Sequence, residues 1–233
     1  MSGSAAMRSR HSSVRWWTPT TGTRTSFRMS ERNAMPLAEC YRQLVELRRD
    51  ELVVTSAGTA SGEWYARSID LDASFYLQAS MGMASMFGLG LAISVPEARV
   101  WVFDGDGALV MNPGALLTEA EAAPPNLIHF VLANRAYGAT GGLPYVNAAR
   151  VEFQGLARAC GIDRVYAFDD MADLRAEIGK IFAERRYTYI VLELTAEHGL
   201  HSEIPLDSVE QKFRFVRHVE RAFGRTVFNR WGY

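Results

Sequence analysis

An acid stands between two glycines, Gly105-Asp106-Gly107, just after the apolar run Val100 to Phe103. The next apolar run, "NLIHFVLAN", closes on Asn134 and leads into Arg135-Ala136-Tyr137-Gly138. Glycine permits positive φ and lets backbone N–H groups approach a bound group closely. Successive N–H groups at the start of a helix make a concavity for anions. A carboxylate there repels an anion unless a cation lies between them. Mg²⁺ meets that need, because it takes one or two protein oxygens and completes its octahedron with phosphate oxygens and water. Asp106 supplies one such oxygen, the Asn134 amide a second and the Ala136 carbonyl a third. Gly-Asp-Gly alone also reads as an ordinary turn. The Asn-x-x-Tyr-Gly that ends the following strand favours metal and diphosphate.

These loops need a scaffold that aligns the ends of several strands. "PLAECYRQLVELRR" has helical spacing, with Pro36 suited to a first turn. Leu52 to Thr55 reads as a short buried strand ending in a small-residue loop, "SAGTAS". "GMASMFGLGLAIS" is a helix of small residues able to pack closely on a neighbour, and "RVWVFD" is a strand. "GALLTEAEAA" is a helix stopped by Pro124-Pro125. "NLIHFVLAN" is a strand, and "ARVEFQGLARAC", "RVYAF", "MADLRAEIGKIFAER" and "YTYIVLEL" continue as helix, strand, helix, strand. Strands apolar at every position, alternating with helices, imply a mainly parallel sheet covered on both faces, a doubly wound α/β layer. Ligands of such sheets bind beyond the carboxyl ends of the strands. The loops to watch therefore follow Val54, Phe103 and Leu132.

Three segments are expected: a disordered extension at 1–34, one α/β domain at 35–197, and a C-terminal loop and helix at 198–233. The extension is rich in Ser, Thr and Arg, with no acid before Glu31. It reads either as a transit-like segment or as an over-long start, with Met29 or Met35 as the true beginning. "SVEQKFRFVRHVERAF" is amphipathic and suited to dock on the domain or on a partner.

With a net charge of −1, the 233-residue chain has no general attraction to nucleic acid or anionic membrane. No apolar run approaches a membrane span. Cys40 and Cys160 make no metal or redox spacing and suit a reducing, cytoplasmic setting. Gly88-Leu89-Gly90 falls inside a helix and is no dinucleotide fingerprint. His129, within an apolar strand, reads as a satisfied core histidine. His198 and His201, flanked by Glu197 and Glu203, form a weaker candidate for a transition metal or a substrate contact.

The stretch "GDGALVMNPGALLTEAEAAPPNLIHFVLANRAYG" resembles the diphosphate-binding signature of thiamine diphosphate enzymes. The resemblance covers roughly residues 50–196. "VVTSAGTAS", "ASMGMASMFGLGLA" and "YGATGG" are most similar to the sulfopyruvate decarboxylase beta subunit and the matching half of phosphonopyruvate decarboxylase. It implies that Asp106, Asn134 and Ala136 hold Mg²⁺. Gly105, Gly107 and Ala108, with Gly58, Thr59 and Ala60, would meet the diphosphate. Met81 would be the apolar wedge under the cofactor, a position that could otherwise be plain core packing. The Ala79 carbonyl would accept from the aminopyrimidine. Three positions depart from the family: Ala133 for a polar residue, Arg135 for a glycine, which would leave the backbone less free to turn, and Ala108 for a hydroxyl.

In that family the activating glutamate lies on a separate pyrimidine-binding domain, and no second set of strands is evident here. The resemblance thus implies no catalytic residue in this chain and a pyrimidine-binding (alpha) partner subunit. It implies nonoxidative decarboxylation of a small 2-oxo acid to an aldehyde. Carboligation through the same cofactor, or a noncatalytic scaffold with a degenerate site, are the alternatives.

Overall fold

The computed structural model describes residues 34–196 and 203–227. Residues 1–33 of the extension expected at 1–34, and Glu197, His198 and His201, lie outside the described residues. Six strands form one sheet in the order β2-β1-β3-β4-β6-β5. They are β1 Leu52–Thr55, β2 Ser74–Tyr76, β3 Val100–Gly105, β4 Leu127–Ala133, β5 Val165–Phe168 and β6 Thr188–Glu193. Every pairing is parallel. The chain leaves β1 toward β2, then returns to β3 on the other side. The carboxyl ends of β1 and β3 thus flank the topological switch point, where open α/β sheets bind ligands.

Helices cover both faces, as parallel strands require. One face carries α1 (Leu37–Leu47), α2 (Thr59–Ser68) and α7 (Met171–Ala183), whose buried residues pack on Val53, Trp101, Phe103 and Phe130. Aromatic rings fill this layer, with Trp64 and Phe103 centroids 4.8 Å apart. The other face carries α3 (Ala84–Ser94), α5 (Ala115–Ala122), α6 (Phe153–Ala159) and α8 (Ser208–Phe223). A single turn, α4 (Asp106–Leu109), starts directly at the acid of the Gly-Asp-Gly motif.

Two elements correct the sequence reading. The stretch after β1 is not only a loop, for α2 begins at Thr59 behind Gly58, whose φ is +82°. β2 was not foreseen, being three residues long at the sheet edge. The C-terminal helix docks on the domain itself. Phe215 of α8 lies 5.4 Å from Phe75. Gln211 donates to the Tyr76 carbonyl at 2.9 Å and accepts from the Tyr76 N–H at 3.0 Å.

The small-residue helix α3 does pack closely. A Cβ on Gly88 would stand 2.1 Å from Val102 Cγ2, whereas one on Gly90 meets nothing within 4 Å. Gly88→Val should therefore destabilise the domain by about 1–3 kcal/mol through overpacking. Gly90→Ala should be neutral or gain up to ~1 kcal/mol from helix propensity. Urea unfolding of the two variants checks the contrast.

Candidate functional site

A cavity of about 360 Å³ opens at the carboxyl ends of β1, β3 and β4. All eleven residues singled out in the sequence line it: Gly58, Thr59, Ala60, Ala79, Met81, Gly105, Asp106, Gly107, Ala108, Asn134 and Ala136. The β1 loop, the loop after β2, the β3–α4 turn and the β4 loop each bring a part.

Asp106 is the best-held group. It is 1% exposed, at the first residue of α4. Its Oδ1 accepts from the Gly107 N–H at 2.8 Å, and its Oδ2 from the Arg135 N–H at 2.7 Å and the Tyr145 hydroxyl at 3.1 Å. A carboxylate has about four lone-pair sites, so three donors leave room for a metal ion. Burial pushes the Asp106 carboxyl up to about 6, against the pull of these donors. An incoming cation would relieve that burden directly.

Among the described residues the Asn134 Oδ1 accepts one bond, from the Ala136 N–H at 3.0 Å, which leaves it a second lone pair. The Ala136 carbonyl faces the motif, 3.7 Å from where a Cβ on Gly107 would stand. Gly107 itself leaves no room for a side chain, because that Cβ would lie 2.7 Å from the Tyr137 ring. Gly58 combines its positive φ with a would-be Cβ 2.7 Å from Ala139. Both glycines are required by close approach, as a backbone cradle demands. Thr59 Oγ1 is buried there with no hydrogen-bond partner among the described residues. The Gly105 N–H is spent differently, donating to Ser56 Oγ at 2.9 Å.

The donor set of one carboxylate, one amide and one carbonyl is hard and incomplete, as Mg²⁺ with phosphate oxygens requires. Among the described residues no three His, Cys, Asp or Glu side chains converge on a metal position. Met81 is 46% exposed, between Ser80 and Gly82, both at positive φ. Simple core packing is thereby overturned for this residue. Arg135 also departs from expectation. The backbone does turn there, at φ +63°.

The sequence reading missed the polar cluster beneath the motif. His129 Nδ1 lies 2.9 Å from Glu119 Oε2, which also accepts from the Tyr187 hydroxyl at 2.8 Å. Asp104 Oδ2 is 4.0 Å from His129 Nε2. His129 is thus a core histidine, as foreseen, but satisfied only at Nδ1, since Nε2 makes no hydrogen bond among the described residues. The partners Glu119 and Asp104 were not foreseen, though Glu119 shares the buried face of α5 with Ala115 and Leu116 at helical spacing. Burial pushes the Asp104 carboxyl up to about 7, despite the opposing influence of His129.

Residues 61–192 match the family described as thiamine pyrophosphate enzyme, C-terminal TPP binding domain. The chain belongs to the thiamine pyrophosphate enzymes. Within this family it is 40% identical over 189 residues to the sulfopyruvate decarboxylase subunit beta of Methanothermobacter thermautotrophicus, covering 79% of this chain and 95% of that one. It is 41% identical over 143 residues to the phosphonopyruvate decarboxylase of Streptomyces viridochromogenes, covering 60% of this chain and 35% of that one. Among solved structures, a thiamine diphosphate-dependent 4-hydroxybenzoylformate decarboxylase of Rhodococcus jostii superposes with a TM-score of 0.60. It is 18% identical, covering 73% of this chain and 34% of that one, a likeness of fold. The chain spans less than half the length of the longer curated thiamine pyrophosphate enzymes it matches. No helix among the described residues is long and apolar enough to cross a membrane.

Proposed function

We propose that this chain is the diphosphate-binding subunit of a two-subunit, thiamine diphosphate-dependent 2-oxo acid decarboxylase. One observation carries the two-subunit reading: Asp106 is the only ionisable carboxyl, imidazole, amine or guanidine group among the described residues lining the cavity. That group is committed to two backbone donors, to the Tyr145 hydroxyl and, in this reading, to Mg²⁺. Among the described residues lining the cavity, no second carboxylate and no imidazole remains to move a proton at the cofactor's aminopyrimidine. The residues suit one half of an active site.

When bound, the cofactor supplies the electron sink that loss of carbon dioxide from a 2-oxo acid requires. Asp106, the Asn134 amide and the Ala136 carbonyl would hold the metal. The glycine turns at 58 and 105–107 would admit the diphosphate to backbone distance, with Thr59 Oγ1 as an added donor. Met81 would support the organic part from below, and the Ala79 carbonyl would accept from the aminopyrimidine. Tyr137, lying over Gly107, narrows the cavity and limits water. The activating carboxylate would come from a pyrimidine-binding partner. Coverage of nearly the whole of a protein named as a beta subunit supports this division. The printed names of the relatives favour a small 2-oxo acid with a sulfonate or phosphonate at its far end, released as an aldehyde.

The test is reconstitution. The chain purified alone should show no decarboxylation of sulfopyruvate or phosphonopyruvate above background. Addition of a pyrimidine-binding partner should raise the rate by at least about 100-fold, the scale of one positioned acid–base group. Robust turnover by the chain alone would overturn the division of labour.

A further inference from the structure

Arg135 sits between two residues that line the site, Asn134 and Ala136, but is not among the residues that line it. Its φ of +63° is a left-handed conformation that a non-glycine L-residue adopts only against steric cost. Glycine would adopt it without that cost, so permission to turn does not explain an arginine. The side chain does. Nη2 donates to both carboxylate oxygens of Glu193, at 2.6 and 2.8 Å. Nη1 donates to the Val151 carbonyl at 2.5 Å, and the guanidinium lies 5.2 Å from the centre of the Phe153 ring. The two ion-paired side chains are 12% and 11% exposed. Glu193 is the last residue of β6, directly beside Ala133 in the sheet register. One arginine thus fastens the loop to the neighbouring strand while its own N–H reaches Asp106 Oδ2 at 2.7 Å.

We infer that Arg135, held by Glu193, is a positioning residue that pre-orders the Asn134–Tyr137 loop for Mg²⁺. Metal affinity then depends on an ion pair that touches neither metal nor cofactor. With Nη2 on the Glu193 carboxylate and Nη1 on the Val151 carbonyl, the planar guanidinium is fixed in orientation as well as distance. The inference rests on the proposed Mg²⁺–diphosphate reading of the site.

The experiment is calorimetric titration of Mg²⁺ at saturating thiamine diphosphate, on the full chain copurified with its partner. Arg135→Gly keeps the turn and removes the fastening; Glu193→Gln keeps the shape and removes the charge. Each should weaken Mg²⁺ binding by about 10–100-fold, the usual loss when an outer support of a metal site is removed. The double variant should lose no more than the single ones, because both act through one pair. Amide exchange at 135–137 should quicken in the metal-free variants. Thermal melts ensure that titrations are run on folded protein, and Glu193→Gln carries the test if Arg135→Gly does not fold. Unchanged Mg²⁺ affinity in the variants, with normal binding by the wild type, would overturn the positioning role alone. Absence of Mg²⁺-dependent binding in the wild type would overturn the site reading and this inference together.

Discussion

Asp106→Asn should abolish Mg²⁺-dependent binding of thiamine diphosphate, weakening it by more than about 100-fold. That exceeds the usual loss for an outer support, because the proposed ion would lose its one charged ligand among the described residues. The substitution preserves volume, and the carboxylate is 1% exposed, so the effect reports chemistry more than packing. One amide oxygen can replace only part of the acceptor set. The carboxylate takes three donors, from Gly107, Arg135 and Tyr145, and an amide NH₂ turned toward any of them meets another donor. Circular dichroism should show the fold intact. The diphosphate would then face the glycine turns without a neutralising ion. Calorimetry with and without Mg²⁺ decides the matter, and Mg²⁺-dependent binding at wild-type strength would remove Asp106 from the metal.

The second large effect concerns stability. His129→Leu should cost about 3–5 kcal/mol near pH 6, because it leaves the Glu119 carboxylate buried without its cationic partner. Tyr187 remains as a donor to Glu119, and Asp104 and the Tyr189 hydroxyl add no positive charge. Burial opposes the charged form of His129, but Glu119 outweighs it and raises the pKa above the ordinary 6.5. Burial likewise opposes the Glu119 carboxylate, yet His129 and Tyr187 hold it below the ordinary 4.5. The signs follow from linkage. Stability from the raised histidine is fully present below its unfolded pKa and is lost as pH rises through the folded one. Stability from the lowered glutamate is present above its unfolded pKa and fades in acid. The pair thus contributes most between about pH 4.5 and 6.5. The gap between wild type and His129→Leu should shrink toward alkaline pH, where wild-type His129 loses its own charge. A His129→Leu/Glu119→Gln double variant should recover part of the loss. Urea unfolding across this pH range tests each sign, and a constant gap would contradict the ion pair.

Much of the site was legible because its chemistry sits in short loops at strand ends. Gly105-Asp106-Gly107 and Asn134 declare themselves by residue type, and the apolar strands between them could form only a buried parallel sheet. The structure brings those loops together at one cavity without rearranging the expected order. What was hidden has physical causes. α2 starts with Thr59-Ala60-Ser61-Gly62, a run whose weak helix propensity reads as loop, and tertiary packing against the Trp64 layer overrides it. β2 is too short to carry a period. Glu119 and Asp104 occupy buried positions where the apolar pattern leaves no mark, since only a three-dimensional partner explains a buried acid. Arg135 looked like a poor substitute for glycine, because the cost of its turn is local while its compensation comes from Glu193, far along the chain.

The grip of Gln211 on Tyr76 has an effect well away from the cofactor. Tyr76 belongs to the outermost strand, whose free side would otherwise invite a stray strand from another molecule to zip onto it. A side-chain amide, offering one donor and one acceptor, imitates that visitor and occupies its berth. The last helix thereby seals the rim, and trimming it would leave the sheet with a sticky border.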